Sequence, residues 1–152
     1  MREQVEKELG QKKISFNNNA ITTTSRVVFT SWLTDMYEVM NGLDIIALTS
    51  LNEGTPLSVI EAQFFKKPVV STNAGGVKDT MLNGVTGFVV EKNDLTTFCR
   101  KLRLLIDNKE MRITMGDEGS RFAFKKFSKQ KEVARTKELY FALLRRKGCT
   151  FS

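Results

Sequence analysis

Short apolar runs alternate with helix-forming segments through the middle of this chain, and this alternation restricts the possible folds more than any other feature. The runs are rich in β-branched and aromatic residues and lie at 26–30, 44–49, 68–72 and 87–90. Such runs are typical of parallel strands covered on both faces. Helical patterns occupy the gaps, at 33–42, from Pro56 onward and at 77–83. The rhythm predicts an α/β fold: a Rossmann-like parallel sheet with helices on both faces.

The two ends of the chain frame this alternating region. A short amphipathic helix is predicted within 1–13, ending at Gly10, and the three asparagines at 17–19 predict a loop. After Asp94 the pattern becomes fully helical, which predicts a helical C-terminal tail. With 152 residues the chain can form one ordinary domain, predicted over 1–147 with a disordered tail at 148–152.

Composition excludes several kinds of site. The chain has no histidine, so neither a Ser-His triad nor a histidine-ligated zinc site can form, and no metal site is expected. No apolar run approaches the roughly 20 residues that span a bilayer, and the charged N-terminus lacks the apolar core of a secretory signal. We therefore expect a cytoplasmic location.

The positive charge is concentrated near the C-terminus. The net charge is +7, yet segment 121–147 alone holds ten basic and only two acidic residues. The rest of the chain consequently has no electrostatic footprint for nucleic acid. The basic segment suits contact with an anionic membrane surface or an acidic partner, and a solvated helix face covering the sheet is the alternative.

Segment 49–62 is the most informative stretch, because it predicts a strand, a turn and then a helix. Pro56 suits the first helical position, and it favours the extended conformation that an N-cap residue needs at Thr55. Gly54 permits close backbone approach, while the N–H groups of Leu57 and Ser58 would point forward with the positive end of the helix dipole. The turn therefore predicts an anion site suited to a diphosphate.

Glu61 is the unusual residue of this helix. It lies inside a stripe predicted to face the core, which contains Leu57, Ile60, Phe64 and Phe65. A carboxylate in an apolar setting is unfavourable unless it is hydrogen-bonded, and a vicinal diol such as a ribose could supply two donors. Glu53, in the turn before the helix, could hold another polyhydroxyl group.

These residues carry a resemblance to a known family. Glu53 and Glu61, with Gly54, Pro56 and Leu57 between them, resemble the paired-glutamate motif of the retaining GT-B glycosyltransferases of group 1, family 4 type. Further segments that resemble the family are 27–32, 44–50, 67–70, 75–79, 83–87 and 127–128. The likeness covers about residues 1 to 144 and implies part of a GT-B C-terminal domain.

The resemblance implies a role for each matching position. Glu53 would contact the transferred sugar as the catalytic residue, and Glu61 would bind the ribose of the nucleotide. Two further groups are implied: Gly54, Thr55, Pro56 and Leu57 at the diphosphate, and Ser31, Trp32 and Leu33 beside the base. No cofactor is implied other than the nucleoside diphosphate sugar, which is the donor substrate.

The chain also departs from the family pattern. The glycine pair Gly75-Gly76 is followed by Val77-Lys78-Asp79, where the family usually has Val-Pro-Glu. The family's donor domain starts earlier, with a strand and turn carrying an Arg and a Lys, and an N-terminal acceptor domain precedes it. We therefore expect an N-terminally incomplete domain that needs a separate acceptor domain. An unpaired sheet edge would make it marginally stable or self-associating.

Together these observations predict a function and two alternatives. The predicted enzyme transfers a hexosyl group from a nucleoside diphosphate sugar to a glycan or lipid-linked acceptor, with retention of configuration, in polysaccharide biosynthesis. One alternative is a non-catalytic fragment or assembly module that docks with an acceptor domain. The other is a sugar-nucleotide epimerase, which the absence of histidine disfavours.

Overall fold

A computed structural model describes residues 2–11, 16–18, 27–30 and 33–146. The elements are α1 (Arg2–Gln11), β1 (Phe16–Asn18), β2 (Val27–Phe29), α2 (Met36–Gly42), β3 (Ile46–Leu48), α3 (Leu57–Phe64), β4 (Val69–Thr72), α4 (Val77–Thr80), β5 (Gly87–Val90), α5 (Leu95–Asp107), α6 (Lys109–Phe127) and α7 (Lys129–Arg146). The chain divides into two compact units, Met1–Val39 and Met40–Ser152.

The first unit contains α1 and a two-stranded parallel sheet. Strand β1 pairs with β2 in a register that places Asn17 opposite Val28. The loop predicted at 17–19 is therefore wrong for its first two residues, because backbone pairing outweighs the low strand propensity of asparagine. Helix α2, which crosses the boundary between the units, begins at Met36, later than predicted. The Asp35 carboxylate accepts hydrogen bonds from the N–H groups of Tyr37 at 3.0 Å and Glu38 at 3.1 Å and so fixes this start.

The second unit is built on a three-stranded parallel sheet in the order β3-β4-β5. Strand β4 is central, with Val70 opposite Ala47 of β3 and Phe88 of β5. Within the described residues β3 and β5 are the outer strands of this sheet, and self-association through an open edge stays a prediction. The α/β prediction is confirmed here, since every pairing in the sheet is parallel and helices flank it.

Successive residues of β4 serve two separate cores, because side chains alternate across a strand. Val69 belongs to a buried cluster on one face with Met40, Val59, Ala62, Ala74, Val77 and Met81. Val70 belongs to a second cluster with Phe88, Val90, Phe98, Leu105 and Met115. Helices α3 and α4 thus cover one face, while α5 and the first half of α6 cover the other.

Helix α6 approaches the turn after α3 at a glycine. A Cβ atom on Gly116 would overlap the backbone carbonyl oxygen of Lys66. Lys66 itself has a left-handed φ of 57°, and its N–H donates to the Gln63 carbonyl at 3.0 Å, which ends α3. The contact places α6 directly against the end of α3.

The C-terminal part of the described chain is helical, as predicted. Helix α5 begins at an Asp94 cap, α6 begins at an Asn108 cap, and α7 packs mainly on α6 without burying any residue. Helix α7 is thus a solvated helix, as the alternative to a membrane or partner contact expects, but it packs mainly on α6 and not on the sheet. Among the described helices, none is long and apolar enough to cross a membrane.

Replacement of Gly116 tests the close approach of α6. We expect Gly116→Ala to lower the free energy of unfolding by about 1–3 kcal/mol, because the added methyl group must push α6 away from the Lys66 carbonyl. Urea unfolding measures the change. Gly42→Ala is the matched control, since no atom lies within 4 Å of a Cβ built there. An equal loss in both variants would contradict the packing explanation.

The cap of α5 predicts a pH effect. The Thr97 backbone N–H donates to the Asp94 carboxylate at 2.9 Å, and this bond lowers the pKa of that carboxyl below its usual value. Because the pKa is lower in the folded state, the ionised cap stabilises the fold above the unfolded-state pKa. That stability is lost as pH falls through the folded-state pKa.

Comparison with Asp94→Asn isolates this cap, because asparagine keeps the acceptor oxygen without the titration. We expect any stability advantage of the unmodified chain over Asp94→Asn to shrink as pH falls from about 6 to about 3. Thermal unfolding across that range measures it, and Glu138→Gln, on exposed α7, serves as control. A pH-independent difference for Asp94→Asn would contradict the assignment.

Candidate functional site

Helix α3 starts with unsatisfied backbone donors. Pro56 is its N-cap, with extended backbone (φ −70°, ψ 101°), so the helix begins at Leu57, one residue later than predicted. The first intrahelical bonds run from the N–H groups of Val59 at 3.2 Å and Ile60 at 3.4 Å to the Pro56 carbonyl. No side chain caps this end. The N–H groups of Leu57 and Ser58 therefore precede the first intrahelical bond and remain available to an anion.

Glu61 lies on a different face of α3 from the one expected. The face packed in the core carries Val59, Ala62 and Gln63, whereas the side chain of Leu57 is 67% exposed. Of the stripe that was predicted to face the core, Ile60 is buried, but Leu57 is exposed and Glu61 is only half-buried, so the prediction is wrong for these two residues. Glu61 is half-buried, and its carboxylate has no hydrogen-bond or ion-pair partner among the described residues.

Glu61 borders an open cleft of about 440 Å³ between α3, the end of α6 and the first turns of α7. The cleft is lined by Thr55, Leu57, Ile60, Glu61, Phe64, Lys126, Phe127, Glu132, Arg135 and Thr136. The lining thus combines two carboxylates, two cations, two hydroxyls and an apolar wall. Such a surface suits a ligand with both polar and apolar parts.

The turn that carries Glu53 is held by the glycine pair predicted at 75–76. The Gly76 N–H donates to the backbone carbonyls of Glu53 at 3.1 Å and Gly54 at 3.0 Å. A Cβ atom on Gly75 would overlap the Glu53 carbonyl oxygen, and one on Gly76 would overlap that of Gly54. Only glycine at both positions permits this approach. The glycine pair therefore fixes the Glu53–Gly54 turn.

The structure brings some of the predicted site residues together. Thr55, Leu57 and Glu61 share the cleft, and Glu53, Gly54 and Pro56 belong to the turn that leads into it. Leu33, predicted beside the base, lies in the first unit with 43% of its side chain exposed. Ser31 and Trp32 lie outside the described residues. Their roles stay predictions, as does the catalytic role of Glu53.

Sequence reasoning missed the far wall of the cleft. Lys126, Glu132, Arg135 and Thr136 come from α6 and α7. They fall within the segment noted for its basic charge, but nothing in the spacing of that segment links it to Glu61. Within the described ranges, no three Cys, Asp or Glu side chains cluster closely enough to hold a metal ion.

Comparison with known proteins places the chain in a family. The family model for "Glycosyl transferases group 1" matches residues 10–122. The chain is 34% identical over 110 residues to the capsular polysaccharide biosynthesis glycosyltransferase CapM of Staphylococcus aureus. This match covers 72% of this chain and 29% of CapM. It is 30% identical over 119 residues to the UDP-Gal:alpha-D-GlcNAc-diphosphoundecaprenol alpha-1,3-galactosyltransferase of Escherichia coli. That match covers 78% of this chain and 30% of the relative.

Solved structures share the fold. The C-terminal domain of the group 1 glycosyl transferase LpcC of Francisella tularensis aligns with a TM-score of 0.70 at 22% identity, covering 84% of this chain and 63% of that one. HepE of Anabaena, solved in complex with UDP, aligns with a TM-score of 0.73 at 23% identity, covering 90% and 35%. These likenesses confirm the predicted Rossmann-like α/β architecture.

The matches also show how much of its relatives' length the chain spans. It spans less than a third of the length of the two curated relatives named above. The family model, by contrast, covers most of the chain, including both glutamates of the motif and the glycine pair. The chain therefore belongs to the glycosyl transferases group 1 family.

Proposed function

We propose that this chain binds a nucleoside diphosphate sugar as the donor half of a retaining glycosyltransferase that transfers a hexosyl group to a glycan or lipid-linked acceptor. The observation that carries the proposal is Glu61, a half-buried carboxylate without a described partner, in a cleft beside an uncapped helix start. A half-buried carboxylate that no described protein group satisfies can accept hydrogen bonds from a ligand in the cleft.

The ribose and the diphosphate of the donor each have a chemically matching group. The Glu61 carboxylate can accept hydrogen bonds from two ribose hydroxyls, and the N–H groups of Leu57 and Ser58 can donate to a diphosphate. Arg135 lines the same cleft without an ion-pair partner among the described residues, so it adds positive charge for an anionic ligand. The UDP complex of HepE, which shares this fold, supports a uridine nucleotide as the first one to test.

The proposed chemistry is electrostatic. Transfer of the hexosyl group leaves negative charge on the departing diphosphate, and donors already fixed at the start of α3 would stabilise that charge. Glu53 would orient the hydroxyls of the transferred sugar from the turn that Gly76 holds. No metal or separate cofactor is part of the proposal. The chain's contribution is then mainly positioning.

The proposed partner is an acceptor domain, because the chain spans less than a third of the length of its curated relatives. The open cleft and the uncapped helix start also suit a second candidate, a non-catalytic module that binds the donor and docks with that domain. The basic segment 121–147 would then contribute attachment to the cytoplasmic face of a membrane. In a protein that includes the acceptor domain and its acceptor, nucleotide binding without release of UDP from UDP-glucose favours the second candidate over the first.

Calorimetric titration with UDP, GDP and ADP tests the donor site. We expect one nucleotide to bind and Glu61→Ala to weaken its affinity by about 10- to 100-fold, because hydrogen bonds to a charged carboxylate are lost. Glu61→Gln should fall between the two, since the amide keeps one acceptor. Glu138→Ala, which removes an exposed carboxylate from α7, should leave the affinity unchanged.

Two results would contradict the proposal. One is equal affinity of the unmodified chain and Glu61→Ala for every nucleotide. The other is no binding by a chain whose circular dichroism and cooperative unfolding show that it is folded.

A further inference from the structure

Helix α4 has only one helical turn, and its N-terminal end holds the Glu53–Gly54 loop turn in place. It spans only Val77–Thr80 and follows directly on Gly76, whose N–H donates to the carbonyls of Glu53 and Gly54. Any displacement of α4 along its axis would therefore move this donor. The position of the Glu53 backbone depends on where α4 is anchored at its other end.

Two side chains from other helices anchor that other end. The carbonyl groups at the end of a helix have no intrahelical donors and need partners from elsewhere. The Lys126 ammonium of α6 donates to the Asp79 carbonyl at 2.6 Å, and the Gln63 amide of α3 donates to the Thr80 carbonyl at 2.7 Å. Both anchoring residues are distant in the sequence from the carbonyl groups that they contact.

Packing alone does not explain a glutamine at position 63. Its side chain is fully buried, and its amide nitrogen also donates to the Val59 carbonyl at 3.2 Å. Its amide oxygen is buried without a partner among the described residues, which is unfavourable in an apolar interior. A methionine of similar length would pack there without this unpaired oxygen. The amide is therefore better explained by its bond to α4.

Lys126 is restrained by neighbouring aromatic rings. Its ammonium lies 5.4 Å from the ring centroids of both Phe122 and Phe127 on its own helix, which restricts its range of positions. The Asp79 residue that it reaches is exposed. Water can therefore replace the ammonium at the carbonyl, so loss of this bond should change anchoring more than overall stability.

We infer that Gln63 and Lys126 are positioning residues that act through α4 and Gly76 to set the Glu53–Gly54 turn relative to α3. Gln63 and Glu61 lie two residues apart on α3, so the helix that presents one glutamate also anchors the element that holds the other. Gln63 is buried and cannot contact a ligand. Its influence on a bound nucleotide, a readout that rests on the proposed function, must pass through the protein.

Amide hydrogen exchange tests the inference without any ligand. In Gln63→Met and Lys126→Met we expect the Gly76 N–H to exchange about 5- to 10-fold faster, as expected for loss of about one hydrogen bond. The Phe88 amide in β5 should be unchanged after correction for global stability. Lys126→Arg, which keeps a cationic donor, should restore most of the protection. Leu105→Val, in the core on the opposite face, is the stability control.

Nucleotide affinity gives a second readout. We expect Gln63→Met to weaken UDP binding by roughly 5-fold, while Leu105→Val leaves the affinity close to that of the unmodified chain. The inference would be overturned if Gly76 protection and UDP affinity fell in proportion to the loss of melting temperature in every variant, including Leu105→Val.

The two proposals fail separately. If the unmodified chain binds no nucleotide, the proposed function fails and the Gly76 exchange rate alone decides the positioning role. If Gln63→Met does not fold, Lys126→Met decides it, because that substitution leaves only a solvent-accessible carbonyl without its donor.

Discussion

The contact between two backbone turns, Glu53–Gly54 and Gly75–Gly76, is the constraint on which the rest of the site depends. Strands β3 and β4 are parallel neighbours, so the turns that follow them emerge at the same edge of the sheet, where open α/β sheets bind ligands. One N–H group of Gly76 serves two carbonyls, and a side chain on either glycine would separate the turns. The contact therefore fixes the turn that leads into α3.

The site is assembled from groups that folding leaves unsatisfied. Helices α5 and α6 begin with side-chain caps, in which Asp94 accepts from Thr97 and Asn108 accepts from Met111. Helix α3 begins without one, and Glu61 has no described partner. Capping would stabilise α3, whereas an open helix start retains its attraction for an anion. A local loss of stability at a binding site is a common compromise in proteins.

The sequence predicted strands more accurately than helix starts or packing faces. Strand β5 has the bounds that its β-branched run indicated, and β3 lies within its predicted run, because such runs form parallel strands whose two faces are covered by helices. The start of α2 depends on the capping bonds of Asp35, whereas α3 has no side-chain cap and starts one residue after Pro56, whose backbone is extended. The asparagines of β1 were predicted as a loop because propensity does not reveal a pairing partner.

The sequence by itself determined the α/β order, the strand-turn-helix around the two glutamates and the resemblance to group 1 glycosyltransferases, because these depend on residues close together in the chain. Only the tertiary structure decided that Val59 and Ala62 face the core while Glu61 faces a cleft, and that Arg135 lines that cleft. It also decided that Gln63 and Lys126 anchor α4. The reason is physical: periodicity records which residues share a face of one helix, but how that helix is rotated, and what it meets, depends on packing between distant segments.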